Sequence, residues 1–210
     1  MNKRNIIIVV LQAVLVFSMM SCSQTKSKLS KQELAQYISN KKNGLVKEQE
    51  INGTRIRLSY QPTCMLVIRE LEPEQKNDSV VIKTLEEKYN SHYYFLMRFS
   101  RNGKEAIRQL GSFSSYSDMV QVLSFKMGQF VNLTTAQKDT VQLADYLFDQ
   151  TYGMSDANTV LLSFEKEKIM DGKSIEINIG ECGFGTGALK FVLDKKDIDK
   201  MPKLDYSSLL

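Results

Sequence analysis

Leu45-Val46-Lys47-Glu48-Gln49-Glu50-Ile51-Asn52-Gly53-Thr54-Arg55-Ile56-Arg57-Leu58-Ser59-Tyr60 is the stretch that decides the fold class. Asn-Gly between two strand-like runs is the strongest short-range hairpin signal, because both residues tolerate the positive φ that a tight type I′ turn needs. Ile56, Leu58 and Tyr60 alternate with Arg55, Arg57 and Ser59. A period of two predicts a strand with one buried face and one wet face.

The same logic extends along the chain. Tyr93-Tyr94-Phe95-Leu96-Met97-Arg98-Phe99 reads as a strand, followed by a second Asn-Gly at Asn102-Gly103. Tyr93, Phe95, Met97 and Phe99 share its core face. Tyr94, Leu96 and Arg98 share the other, as a contact strip or the underside of a helix. Leu161 to Lys166, the turn Asp171-Gly172 and Ser174 to Ile179 read as a third hairpin, and Leu189 to Leu193 as a last strand.

Helical signals are short. Ser30 with Glu33 is a capping box opening a helix over Lys31 to Ser39. Thr63 is a cap for a helix over Cys64 to Leu71. Val80 to Tyr89 fits helix or strand. Tyr116 to Asp118, before Met119, Val120, Val122 and Leu123, suits a short helix, and Lys195 to Lys200 another. No β-helix-β alternation occurs. The expected fold is therefore α+β: a mainly antiparallel sheet built from hairpins, with two or three short helices on one face.

The N-terminus has a different character. Lys3 and Arg4 precede an uncharged run of 15 residues, Ile6 to Met20. That length suits the apolar core of an export signal and falls short of the roughly 20 residues of a membrane span. The run closes on Met19-Met20-Ser21-Cys22. These residues resemble the lipobox of bacterial lipoproteins, with Ser21 and Cys22 matching and Met19 replacing the usual Leu. The resemblance implies cleavage before Cys22 and acylation of its thiol, with two or three chains. Several chains anchor far more stably than one, at about 0.8 kcal/mol per buried methylene. It also implies an outer-membrane address facing the periplasm, since Ser23 is not the Asp that resembles an inner-membrane retention signal. The expected organisation is a signal over 1–21, a lipidated tether over 22–30 and one domain over 31–210.

Charge and cysteine count narrow the function classes. Residues 1–21 hold two of the 28 basic residues and none of the 24 acidic ones, leaving 26 against 24, or +2. A near-neutral domain lacks the clustered positive charge of a nucleic-acid binder. Once Cys22 is lipidated, Cys64 and Cys182 remain, 118 residues apart. In an oxidising compartment they are either a disulfide pair or two buried thiols.

Candidate chemistry is sparse. His92 is the single histidine, and no His or Cys pair has metal-ligand spacing. Gly180-Glu181-Cys182-Gly183-Phe184-Gly185-Thr186-Gly187 lacks the Lys and Ser or Thr of a phosphate loop and precedes a strand rather than a helix. It reads as a glycine-rich turn, or as a contact loop presenting Phe184. Glu165 and Glu167, at strand spacing, share a face, and Asp194 lies near Asp197. Asp78-Ser79-Val80 and Asp139-Thr140-Val141 resemble the O-glycosylation sequon of some exported Gram-negative proteins, with Ser79 and Thr140 as acceptors. No catalytic, cofactor or metal motif emerges. The expected role is a non-enzymatic accessory or scaffold binding a protein or envelope polymer. The rivals are an envelope hydrolase or small-ligand-binding protein, and an anchored inhibitor of a lytic enzyme.

Overall fold

A computed structural model of the chain describes residues 26–169 and 172–209. Its fold is α+β, built from antiparallel sheets with short helices. In chain order the elements are β1 (Lys28–Leu29), α1 (Lys31–Ser39), β2 (Val46–Ile51), β3 (Thr54–Gln61), α2 (Thr63–Glu70), α3 (Ser79–Tyr89), β4 (His92–Arg101), β5 (Lys104–Glu105), α4 (Phe113–Gln121), β6 (Val131–Thr134), β7 (Thr140–Gln142), β8 (Asp145–Asp149), β9 (Asn158–Glu165), β10 (Ser174–Ile179), β11 (Leu189–Asp194), α5 (Lys195–Asp199) and β12 (Lys203–Leu204). A π turn over Val122–Lys126 continues α4.

The first hairpin forms as its sequence dictates. Asn52 and Gly53 take φ of 51° and 73°, and Asn102 and Gly103 take 52° and 68° at the second turn. β2, β3, β4, β9 and β8 lie side by side in that order, and short β5 pairs with the end of β4. Register places Ile56 opposite Phe99, Leu58 opposite Met97 and Tyr60 opposite Phe95. Across the next pair, Phe95 faces Leu162 and Met97 faces Val160. These side chains are buried and form the inner face.

A second sheet has the order β11-β10-β6-β7. Its Leu133, Ile175, Ile177, Phe191 and Leu193 join the inner face of the first sheet in one core cluster. The expected third hairpin, Leu161 to Lys166 with Ser174 to Ile179, does not form. β9 lies in the first sheet, whereas β10 pairs with β6 and β11 in the second. The connection crosses between sheets, so Phe164 and Ile175 approach the shared core from opposite sides instead of lying across a turn. Asp171 falls outside the described residues.

Helices also depart from expectation. Five α-helices occur among the described residues rather than two or three. The capping box at α1 is present, with Ser30 Oγ accepting from Glu33 N and Glu33 accepting from Ser30 N. Val80 to Tyr89 resolves as helix α3 because Asp78 accepts from Val80 N and Val81 N, at 2.9 and 3.1 Å. Helix α2 begins after Pro62 with no side-chain cap, so Thr63 is its first residue and not its cap. Nor do the helices share one face: α2 lies over the outer face of the first sheet, and α5 packs on β10 and β11.

Within the segment expected as a tether over 22–30, Lys28 and Leu29 join the fold. They pair in parallel with Lys203 and Leu204, and Lys26 forms an ion pair with Glu33 at 2.8 Å. Cys22 itself lies outside the described residues.

Candidate functional site

The outer face of the first sheet carries two openings. Alternation along the strands stacks Tyr94, Ser163 and Asp145 in one row and Leu96, Leu161 and Leu147 in the next. Helix α2 crosses this face and divides it. On one side lies a hollow of about 200 Å³ bounded by Arg57, Leu96, Arg98 and Met65. On the other lies a groove of about 530 Å³. That volume falls within the roughly 300–1,000 Å³ of small-ligand sites. Leu66, Arg69 and Glu70 of α2 form one wall, Tyr89 and His92 close one end, and Leu161 and Leu147 form an apolar floor.

Aromatic edges organise the closed end. Tyr89 and Tyr94 meet edge to face at 5.9 Å, and His92 lies 6.0 Å from Tyr94. Burial pushes the phenols of Tyr89 and Tyr94 above their ordinary value, so both remain neutral donors at physiological pH. Lys88 donates to Glu70 and holds its carboxyl below the usual range. The Lys88 ammonium also sits 5.0 Å from the Tyr89 ring centroid. Arg69 has no ion pair among the described residues. His92 Nδ1 contacts Ser91 Oγ at 2.8 Å.

The expected strip of Tyr94, Leu96 and Arg98 is thus split: Tyr94 lines the groove, while Leu96 and Arg98 lie beside the smaller hollow. Arg69, Asp145 and Leu147 have no common signature in the sequence, because two distant segments, α2 and β8, supply them and no local spacing links the two. Alternation in Asp145-Tyr146-Leu147-Phe148-Asp149 was the one signal that could have found the last two.

Phe184 is not a contact residue. It is 3% exposed and stacks on Phe99 with ring centroids 4.6 Å apart. Its loop is locked from within. The Glu181 carboxylate accepts from Gly183 N, Gly185 N and Gly187 N at 2.7, 2.9 and 2.6 Å. Asn52 Nδ2 donates to Gly185 O at 2.7 Å, tying the loop to the first hairpin. The amides that could cradle a phosphate already hold this carboxylate.

Cys64 and Cys182 are free thiols, so the disulfide alternative is not realised. Cys64 lies in the first turn of α2, just beyond Gln61 at the end of β3, whereas the Cys182 loop meets Asn52, Arg101 and Phe99 at the other end of that strand. Eight residues of strand separate those ends by roughly 25 Å, far beyond the roughly 4.4–6.8 Å Cα separation of a disulfide. Burial pushes Cys64 up to about 11 and Cys182 up to about 12. Neither is an activated nucleophile.

Other sequence candidates fall apart. Glu165 ends β9, but Glu167 lies in a 3-10 turn, so they share no strand face. Asp194 precedes α5 without a side-chain capping bond and pairs with Lys196 at 3.5 Å. Ser79 opens α3 and Thr140 opens edge strand β7, both exposed. Among the described residues, no group of three His, Cys, Asp or Glu is placed to hold a metal ion, and no helix is long and apolar enough to cross a membrane.

No family model matches the chain, and no curated protein matches it. A crystal structure of a novel protein of unknown function from Burkholderia pseudomallei is similar in part. It shares 15% identity over 89% of this chain and 100% of that one, at a TM-score of 0.40.

Proposed function

We propose that this protein is an envelope lipoprotein, anchored through Cys22 at the outer membrane and facing the periplasm, that acts as a non-enzymatic accessory binding a partner protein or envelope polymer. The observation that carries the reading is the groove between α2 and the outer face of the first sheet. It has an apolar floor, two tyrosines at one end and a guanidinium, Arg69, without an ion pair among the described residues. A few placed polar groups around an apolar lining suit binding. Anchoring by Cys22 would confine the groove to one surface and raise its effective concentration there.

Photo-crosslinking in intact envelopes from a probe at Tyr89 tests this. Adducts with a protein or polymer are expected, and Arg69→Ala should weaken them. Recovery of no adduct would overturn the reading, and turnover in a substrate screen would then favour an enzyme.

A further inference from the structure

We infer that β8 is a docking edge for an extended segment of a partner protein carrying the pattern cation-x-apolar-x-cation. This names the chemistry of the partner and rests on the binding reading above. β8 ends the strand order of the first sheet, so no strand among the described residues pairs with its outer side. An edge strand presents backbone donors and acceptors that template another strand; β8 also packs against the turns over Val122–Lys126 and Met127–Gln129, and its Tyr146 N donates to Asp145 Oδ1 at 2.8 Å. The groove runs to this edge, since Asp145, Tyr146 and Leu147 belong to its lining.

The side chains of β8 specify what can pair there. Its burial alternates, leaving Asp145, Leu147 and Asp149 exposed on one face, with Leu147 58% exposed. Opposite them on β9 stand Ser163, Leu161 and Thr159. That strand supplies no counter-charge, and neither aspartate forms an ion pair among the described residues. A second copy is a poor occupant. Antiparallel pairing about Leu147 would set Asp145 against Asp149 at both ends, and like charges directly opposite destabilise a sheet. A segment with Lys or Arg two residues either side of an apolar residue meets both aspartates and covers Leu147. The edge is therefore guarded against itself and complementary to a basic-flanked strand.

The test places a photo-crosslinking residue at position 147 in the full lipidated chain, in intact envelopes, with the captured peptide read by mass spectrometry. The expected adduct is a protein segment with basic residues four apart around an apolar one. Combining Asp145→Lys with Asp149→Lys should reduce its yield about tenfold, and acidic replacements in the captured segment should restore it. Asp145→Asn with Asp149→Asn, at unchanged melting temperature, should give an intermediate loss. Capture of a segment without that pattern, of a second copy, or of a glycan overturns the proposal. If position 147 captures nothing while the Tyr89 probe does, the edge proposal falls and the binding reading stands. If neither captures a partner, both fall.

Discussion

Phe184 lies on Phe99 with ring planes 27° apart and centroids 4.6 Å apart. The contact joins the glycine-rich loop to the central strand of the first sheet. Truncating it removes buried aromatic surface and leaves a cavity beneath a loop that cannot collapse, because Glu181 and Asn52 hold its backbone. Phe184→Ala should therefore cost about 3–4 kcal/mol, lowering the melting temperature by about 10 °C in a domain of this size. Calorimetry or urea unfolding reads this directly. An unchanged stability with lost partner binding would return Phe184 to the surface role that its glycine neighbours suggest.

Glu181 makes the loop sensitive to acid. Burial raises its carboxyl, but the N–H groups of Gly183, Gly187 and Gly185 together outweigh that and hold it below the ordinary value of 4.5. A depressed folded value means that the contribution is complete above the unfolded value and fades as pH falls through the folded one. Loop protection should therefore hold at neutral pH and decline below about pH 4.5. Glu181→Gln should remove that dependence and cost about 1 kcal/mol, a figure reduced for the exposure of the carboxylate. Amide exchange at Gly183, Gly185 and Gly187 across pH 3–7 checks both. Equal exchange in the two proteins at pH 7 would count against the carboxylate as the clasp.

Where signals are local, the chain is legible. Asn52-Gly53 and Asn102-Gly103 each encode a turn, and Ser30 with Glu33 encodes the start of α1. Pairing partners distant in sequence are not encoded this way. Ser174 to Ile179 follows Glu165 closely, yet its register is set by Val131 to Thr134 and Leu189 to Asp194 in another sheet. The groove fails for the same reason: Arg69, Tyr89, Tyr94 and Leu147 come from four elements that meet only in the folded chain. Phe184 misleads because glycine neighbours suggest mobility, while the three amides they free are spent on one carboxylate.

Glu105 is buried at 2% exposure and accepts from Gly153 N at 2.9 and 3.0 Å and from the Thr151 hydroxyl. Arg108 Nε stands 3.6 Å from it. The carboxylate thus clasps the turn that leads from β8 to β9. Glu105→Ala should leave these donors unpaired and cost about 2 kcal/mol. Because the turn aims β8, the variant should also weaken crosslinking from position 147 more than from Tyr89. Equal loss at both probes would indicate general unfolding and not a misplaced edge.

Cys64 and Cys182 should resist thiol reagents in the native protein. Burial raises them to about 11 and about 12, leaving a vanishing thiolate fraction at pH 7. Half-buried Cys64 should react before buried Cys182, and both should become rapid only after unfolding. Oxidant should leave the domain without a Cys64–Cys182 bridge, because β3 holds the two apart. Cys22 should behave differently: Cys22→Ser should abolish acyl labelling and move the protein into the soluble fraction, with the melting temperature unchanged. Retained acyl labelling and membrane fractionation in that variant would remove the anchor on which the localisation rests.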